Sequence, residues 1–235
     1  MNIYKMKFLE GDIKALIIQS LLGGNYKNDE PPIVINEFTI GNYARRADLV
    51  LIKNNEIHAY EVKSEYDSLV RLEGQISKYL EFFDKVTVVL TRKHINKAKT
   101  MLPINVQIME VHEGKIKIVR RGRKVIIKNK NSFISLMTCA ELKSLASFMG
   151  IKVDNYRRKT LELALLSVNV SVLRDYCLMC IQKKYKQQYM DFLKITNGRY
   201  IESKDISQLS IHKKSNKNNI NTTPKSLINI LNMIE

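Results

Sequence analysis

Cysteine is scarce in this chain. Three residues, an odd number among 235, argue against a disulfide framework. Cys177 and Cys180 form a lone CxxC with no second pair, which reads as helix packing rather than a zinc or redox centre. No apolar run reaches the length of a membrane span, so no membrane partner is expected. The opening MNIYKMKFLEGD lacks the apolar stretch and small-residue cleavage site of a secretory signal, and the protein reads as cytoplasmic. There is no internal repeat. What is present is 45% hydrophobic residues, enough for one sizeable core or two small ones.

Acidic residues are also few, and unevenly so. Residues 1–119 carry 17 basic and 15 acidic side chains, whereas residues 120–235 carry 22 and 8. A near-neutral half followed by a strongly basic one suggests a folding or catalytic module joined to a polyanion-binding one. The plainer alternative is a solubilising Lys-rich surface.

Local pattern separates the halves in the same place. DIKALIIQSLL (12–22) predicts a helix with Asp12 as N-cap and Gly23-Gly24 as its stop, followed by a loop, GNYKNDEPP. Strand-like runs follow at 33–40, 46–53, 56–63, 85–90, 106–111 and 116–121. Helices are expected at about 67–83, where Leu69, Leu72, Ile76, Leu80 and Phe83 recur at helical spacing, and at 92–101. This is a mixed α/β core over residues 1–120. RGRKVIIKNKN (121–131) reads as a basic linker into an all-helical domain ending near 202. There Thr138 and Glu141 form a capping box, Gly150 stops a helix, Asp154 or Asn155 caps a second, and a third spans about 170–195. Residues 203–235 read as a polar basic tail with a short amphipathic helix at its end.

Glu61-Val62-Lys63-Ser64 is where chemistry is expected. A Glu-x-Lys triplet alone means little, because Glu113, Glu141 and Glu202 begin three more. Its surroundings differ. Asn54-Asn55 can form a two-residue hairpin turn, since Asn tolerates positive φ. Lys53 would then pair with Glu56, Leu51 with His58, Leu49 with Tyr60, and Asp48 with Glu61. Opposed residues have Cβ atoms about 4.5–5.5 Å apart, and alternation sets Lys63 on the face of Glu61. Two opposed, half-buried carboxylates repel; Mg²⁺ or Mn²⁺ would remove the repulsion and also bind substrate phosphate. Lys63 could hold the attacking water or offset developing charge. The plainer reading makes Asp48 a solvated strand end and Glu61–Lys63 a surface pair. On the next helix Arg71, Gln75 and Tyr79 recur at i, i+4, i+8 as a polar line able to overlook the end of the strand.

Asp48, twelve residues, then Glu61-Val62-Lys63 resembles the PD-(D/E)XK nuclease superfamily, and Gln75-x-x-x-Tyr79 is similar to the Gln-xxx-Tyr element of its exonuclease branch. The longer series Arg46-Ala-Asp48, Glu61-Val-Lys-Ser64, Asp67-Ser-Leu-x-Arg71-Leu-x-x-Gln75-x-x-x-Tyr79, Phe83-Asp84-Lys-Val, His94, Leu102-Pro103 resembles a poorly characterised bacterial and phage family assigned to that superfamily. The resemblance spans about residues 10–120. It implies a three-layer α/β/α, restriction-endonuclease-like core with a mixed central sheet. It also implies Mg²⁺ or Mn²⁺ held by Asp48 and Glu61 with the Val62 carbonyl, Lys63 assisting the water, and Gln75 and Tyr79 orienting the motif. The Pro of the superfamily's name is absent, Ala47 standing before Asp48. For a third acid the resemblance points to Glu37, with Asp12 and Glu10 as alternatives. Arg46 and Arg71 would lie beside the DNA.

Residues 140–165 more weakly resemble SAP-like DNA-binding modules. Leu142, Leu145, Leu161 and Leu165 would form their core, with Arg157, Arg158 and Lys159 facing phosphates. The expected function is a metal-dependent deoxyribonuclease whose basic half grips the DNA, with a homodimer favoured if both strands are cut. The alternative is a non-catalytic nucleic-acid-binding or regulatory protein on a nuclease-like scaffold.

Overall fold

Turn chemistry at Asn54-Asn55 sets the register of the sheet's first half. A computed structural model of the chain describes residues 8–23, 32–41 and 45–210. Both asparagines adopt positive φ, 49° and 57°, and the pairs Lys53–Glu56, Leu51–His58 and Leu49–Tyr60 form as the sequence predicts. They join β2 (Arg45–Lys53) to β3 (Glu56–Lys63). β1 (Ile33–Ile40) pairs antiparallel with β2. β4 (Lys85–Thr91) and β5 (Gln107–His112) continue parallel from β3, and β6 (Lys115–Arg120) closes antiparallel. The six strands lie in chain order in one mixed sheet.

Both faces are covered, which is why the strands read as near-continuous apolar runs. On one face α1 (Glu10–Leu22) sets Ile13, Ile17 and Ile18 against Val34, Leu49, Leu51, Tyr60 and Val62. On the other, α2 (Leu72–Tyr79) and α3 (Ile95–Met101), the latter led in by a 3-10 turn at Arg92–His94, pack on Ile35, Val50, Ile57, Ala59 and Val88. The α/β class and layered core thus match the sequence reading.

The helical half consists of α4 (Lys130–Leu136), α5 (Cys139–Phe148), α6 (Arg158–Leu165) and α7 (Val170–Thr196). Its apolar residues, including the fully buried Leu142, Leu145, Leu161 and Leu165, are continuous with the α2 face of the sheet. α7 is about 40 Å long at 1.5 Å per residue. Its first half packs with α4; Tyr185 then meets Phe38 of β1 at a centroid distance of 6.0 Å, and Tyr189 and Phe192 end on the α1 face. It therefore flanks the β1 edge, which would otherwise offer unpaired backbone groups. An ion pair between the half-buried Arg174 and the buried Asp84 ties the halves: Arg174 donates twice to Asp84, at 2.8 and 2.6 Å, while Asp84 also accepts from the Ile57 amide.

Several boundaries differ from expectation. α1 begins at Glu10, and Asp12 lies inside its first turn, accepting from the Leu9 amide at 3.0 Å. Gly23 does cap its end, whereas Gly24 and residues 25–31 of the loop lie outside the described residues. α2 is shorter than 67–83 because Asp67 turns back to accept from the amide and hydroxyl of Ser64, so the chain leaves β3 in a tight loop; the apolar stripe nonetheless faces the core. The Thr138–Glu141 capping box forms, and Gly150 ends α5 with φ 66°. At α6 the N-cap is Arg157, because Asn155 instead accepts from the Arg157 amide and the Thr160 hydroxyl. Residues 203–209, polar in sequence, form a 3-10 helix that buries Ile206 and Leu209 beside α1. Residues 211–235, including the expected terminal helix, lie outside the described residues. No described helix is long and apolar enough to cross a membrane. Cys177 is buried in α7 and Cys180 half-buried, both unbridged, with burial pushing both thiols up, in keeping with a packing role.

Candidate functional site

The β2–β3 ladder runs from the Asn-Asn turn to Leu49–Tyr60. At the next position the expected Asp48–Glu61 pair gives way to a different arrangement: the Val62 amide donates to Asp48 Oδ2 at 2.7 Å. The Asp48 carboxylate thus replaces a strand partner at the level of the sheet, which relaxes the direct opposition of two carboxylates that ladder pairing would impose. Burial, then the Glu61 charge, pushes the Asp48 carboxyl up to about 7, against the pull of Lys14 and the Val62 amide.

On the α2 side Glu61 is surrounded by donors. It is 1% exposed. Lys63 Nζ (2.5 Å) and Gln75 Nε2 (2.7 Å) both donate to its Oε1. The Tyr79 hydroxyl lies 2.7 Å from Oε2 and 2.6 Å from the Arg46 carbonyl, so its single proton serves both. Burial and the Glu61 charge hold this phenol far above its ordinary range, which keeps it a neutral donor. The helical spacing of Gln75 and Tyr79 accounts for their convergence; Arg71, one turn earlier, is exposed at the helix start. Ser64 is held by Asp67 and, through its carbonyl, by His94 at 3.1 Å. The Ser64–Asp67–His94 part of the motif therefore shapes the exit from β3.

On the α1 side the charges are reversed: several carboxylates surround one cation. Lys14, 3% exposed, sets its ammonium 2.6 Å from Glu10, 2.5 Å from Glu37 and 4.0 Å from Asp48. Burial lowers its pKa, but Asp48, Glu10 and Glu37 outweigh this and hold it above its ordinary value. Glu37 reaches the group through an uncommon backbone. It lies opposite Asp48, between the pairs Asn36–Leu49 and Phe38–Ala47, with φ 58°. A left-handed residue inside a strand breaks the alternation of faces. Ile35 and Phe38 accordingly pack in one cluster, while Asn36 bonds to Ser210 beside the other. Arg46, exposed, also pairs with Glu37.

Of the three candidates for a further acid, Glu10 and Glu37 join Asp48, and Asp12 is spent on the helix start. Among the described residues the carboxylate trio whose oxygens come within 4.8 Å of one another is Glu10, Glu37 and Asp48; Glu61 is not part of it. Three converging carboxylate oxygens are donors of the type a hard divalent cation takes. Lys14 and Glu10 were missed in the sequence as a pair, although one signal was present: a lysine amid Ile13, Ala15, Ile17 and Ile18, one turn after a glutamate.

In the helical half Arg157 and Lys159 are exposed at the start of α6. Arg158 is not free alongside them. Its guanidinium donates to Glu162 and to the Met137 and Ser135 carbonyls, closing the end of α4.

The sequence model of a family described as bacteriophage P4 protein cII matches residues 4–210. The chain belongs to this cII family. The relative found among curated proteins is protein cII of Enterobacteria phage P4, 30% identical over 213 residues, covering 88% of this chain and 80% of the relative. The match encloses every site residue named above, so the sheet, the α1 cluster and the basic helices all lie within the cII-family region. Among solved structures, a protein of unknown function from Silicibacter pomeroyi aligns with a TM-score of 0.35 and 16% identity, over 50% of this chain and 80% of that one. A likeness at that level carries no argument.

Proposed function

We propose that this cII-family protein is a metal-dependent deoxyribonuclease of PD-(D/E)XK type, with its centre at Asp48, Glu61 and Lys63. The observation that carries the reading is geometric: at the end of a strand pair the half-buried Asp48 accepts from the Val62 amide, next to the buried Glu61, which is bonded to the lysine two residues on. Asp48, with Glu10 and Glu37 on one side and Glu61 and the Val62 carbonyl on the other, would hold Mg²⁺ or Mn²⁺. Such an ion supplies Lewis acidity and lowers the pKa of water bound to it. Lys63, fixed through Glu61, is placed to hold a water or to offset charge developing on a phosphate. Gln75 and Tyr79 keep Glu61 in one orientation. Arg46 and Arg71 are exposed near the site, and Arg157 and Lys159 offer phosphate contacts from the basic half, so binding would weaken with salt. Cutting both strands would call for two copies of the chain.

A second reading is favoured by two observations. The family and relative carry the cII description and none of a nuclease, and every oxygen of Glu61 already has a donor within the protein. On that reading the chain is a non-catalytic nucleic-acid-binding or regulatory protein on a nuclease-like scaffold, and the comparisons sit more easily with it. The deciding experiment incubates linear, circular and single-stranded DNA with wild type and Glu61→Ala in Mg²⁺, Mn²⁺ or EDTA. Metal-dependent cutting lost in the variant supports the nuclease. No cutting, together with equal Mn²⁺ binding by wild type and Asp48→Asn in calorimetry, supports the second reading.

A further inference from the structure

We infer that Lys14 is a positioning residue that stands in for a divalent cation among Glu10, Glu37 and Asp48, holding them together without metal and competing with metal for them. The inference rests on the cation-binding part of the proposed function and not on catalysis.

A lysine that is 3% exposed, on the apolar side of a helix that otherwise buries Ile13, Ala15, Ile17 and Ile18, loses its hydration and is retained only where opposite charge replaces it. Here that charge is in excess: three carboxylates lie within 4.0 Å of one ammonium, and among the described residues only one of them, Glu37, has a further cation, the exposed Arg46. One of them, Glu37, is delivered by a left-handed residue inside a strand, a conformation that costs roughly 1–3 kcal/mol for a non-glycine residue. An ion pair needs one carboxylate. A cluster that gathers three around a point charge, with oxygens within 4.8 Å of one another and Glu10 open to solvent, has the donor type of an oxygen-ligated metal centre whose remaining ligands are waters. Lys14 supplies the charge but neither the valence nor the coordination number. Its four-carbon stem lets the ammonium swing away.

Removing the ammonium should therefore unmask the cation site. The test uses the full chain, stripped of metal, with Mn²⁺ as probe. Calorimetry is expected to show Lys14→Gln binding one more Mn²⁺ per chain than wild type, or the same number at least tenfold more tightly. Its thermal midpoint should fall without metal and recover with Mn²⁺ by more than wild type's does. Lys14→Arg, which keeps the charge, should bind Mn²⁺ as wild type does. Unchanged Mn²⁺ binding by Lys14→Gln, a stability loss that Mn²⁺ does not reverse, or a Lys14→Arg that behaves like Lys14→Gln would each overturn the inference. Should Lys14→Gln not fold without metal, refolding in Mn²⁺ is read instead: recovery supports the inference and no recovery overturns it. Wild type that cuts no DNA while Lys14→Gln gains an ion would sink the nuclease and leave this inference standing. Wild type that cuts DNA while Lys14→Gln gains none would do the reverse.

Discussion

The two sides of the Asp48 strand end solve opposite electrostatic problems. Towards α2, one carboxylate, Glu61, is met by an ammonium, an amide and a phenol. Towards α1, one ammonium, Lys14, is met by three carboxylates. Asp48 lies between them and feels both, its carboxyl pushed up by burial and Glu61 while Lys14 and the Val62 amide pull it down. The contrast teaches that burial of charge does not by itself mark a reactive group. Glu61 is the more deeply buried acid, yet it is fully supplied with donors; the side short of positive charge is where an added cation has most to gain.

The benchmark for a compensated carboxylate is Asp84, 1% exposed and bonded by both arms of Arg174. Asp84→Ala would leave that guanidinium with the Asn55 carbonyl but no counter-charge bonded to it, and would strip the Ile57 amide of its acceptor; unfolding in denaturant should show a loss of about 3–5 kcal/mol. A loss under 1 kcal/mol would mean that paired and unpaired carboxylates cannot be told apart here. Next in size, Lys63→Ala on the donor-rich side should slow cleavage about 10²–10³-fold while DNA affinity, read by anisotropy, stays within twofold. Undiminished cleavage would remove Lys63 from the proposed chemistry. Tyr79→Phe strips one donor from Glu61 and should cost about 1–3 kcal/mol, a loss that metal does not restore because the deficit is a hydrogen bond and not a cation.

The carboxylate-rich side should reveal itself through pH. A folded carboxyl raised from 3.8 to about 7 binds its proton more tightly than the unfolded chain does. Its contribution is fully present below pH 3.8 and is lost as pH rises through 7. Metal-free wild type should therefore lose stability across that window, and Asp48→Asn, which can still accept from Val62, should flatten the profile. An unchanged profile would place the titration elsewhere. The smallest effect compares neighbours on α6. Arg157→Ala and Lys159→Ala should each reduce the salt slope of DNA binding by about 1, whereas Arg158→Ala should chiefly lower the melting temperature, since its guanidinium ties α6 to the end of α4.

Much of this is legible in the sequence alone. The hairpin register, the common face of Glu61 and Lys63, the helical line that brings Gln75 and Tyr79 to Glu61, and the Thr138 capping box all depend on periods of two or 3.6 and on neighbours a few residues apart. Other features were not legible. The Asp48–Glu61 pair was expected as a ladder pair, but Asp48 turned to the Val62 amide. Arg158 looked like a phosphate contact and is spent on carbonyls about 20 residues away. Residues 203–209 looked like a tail because only Ile206 and Leu209 among them carry large apolar groups, and those two suffice to dock beside α1.

What the sequence alone determined is therefore whatever local geometry dictates: strand and helix identity, which side chains share a face, and an acid–acid–lysine constellation on one hairpin. Tertiary structure alone decided that Lys14 from α1 and Glu37 from β1 meet Asp48 from β2, and that α7 lies along the β1 edge and clasps Asp84. Those contacts join residues 11 to 90 positions apart in the chain. No short-range period encodes them; they form because α1 and α7 must each bury an apolar stripe against the same sheet, which carries their charged residues to one another.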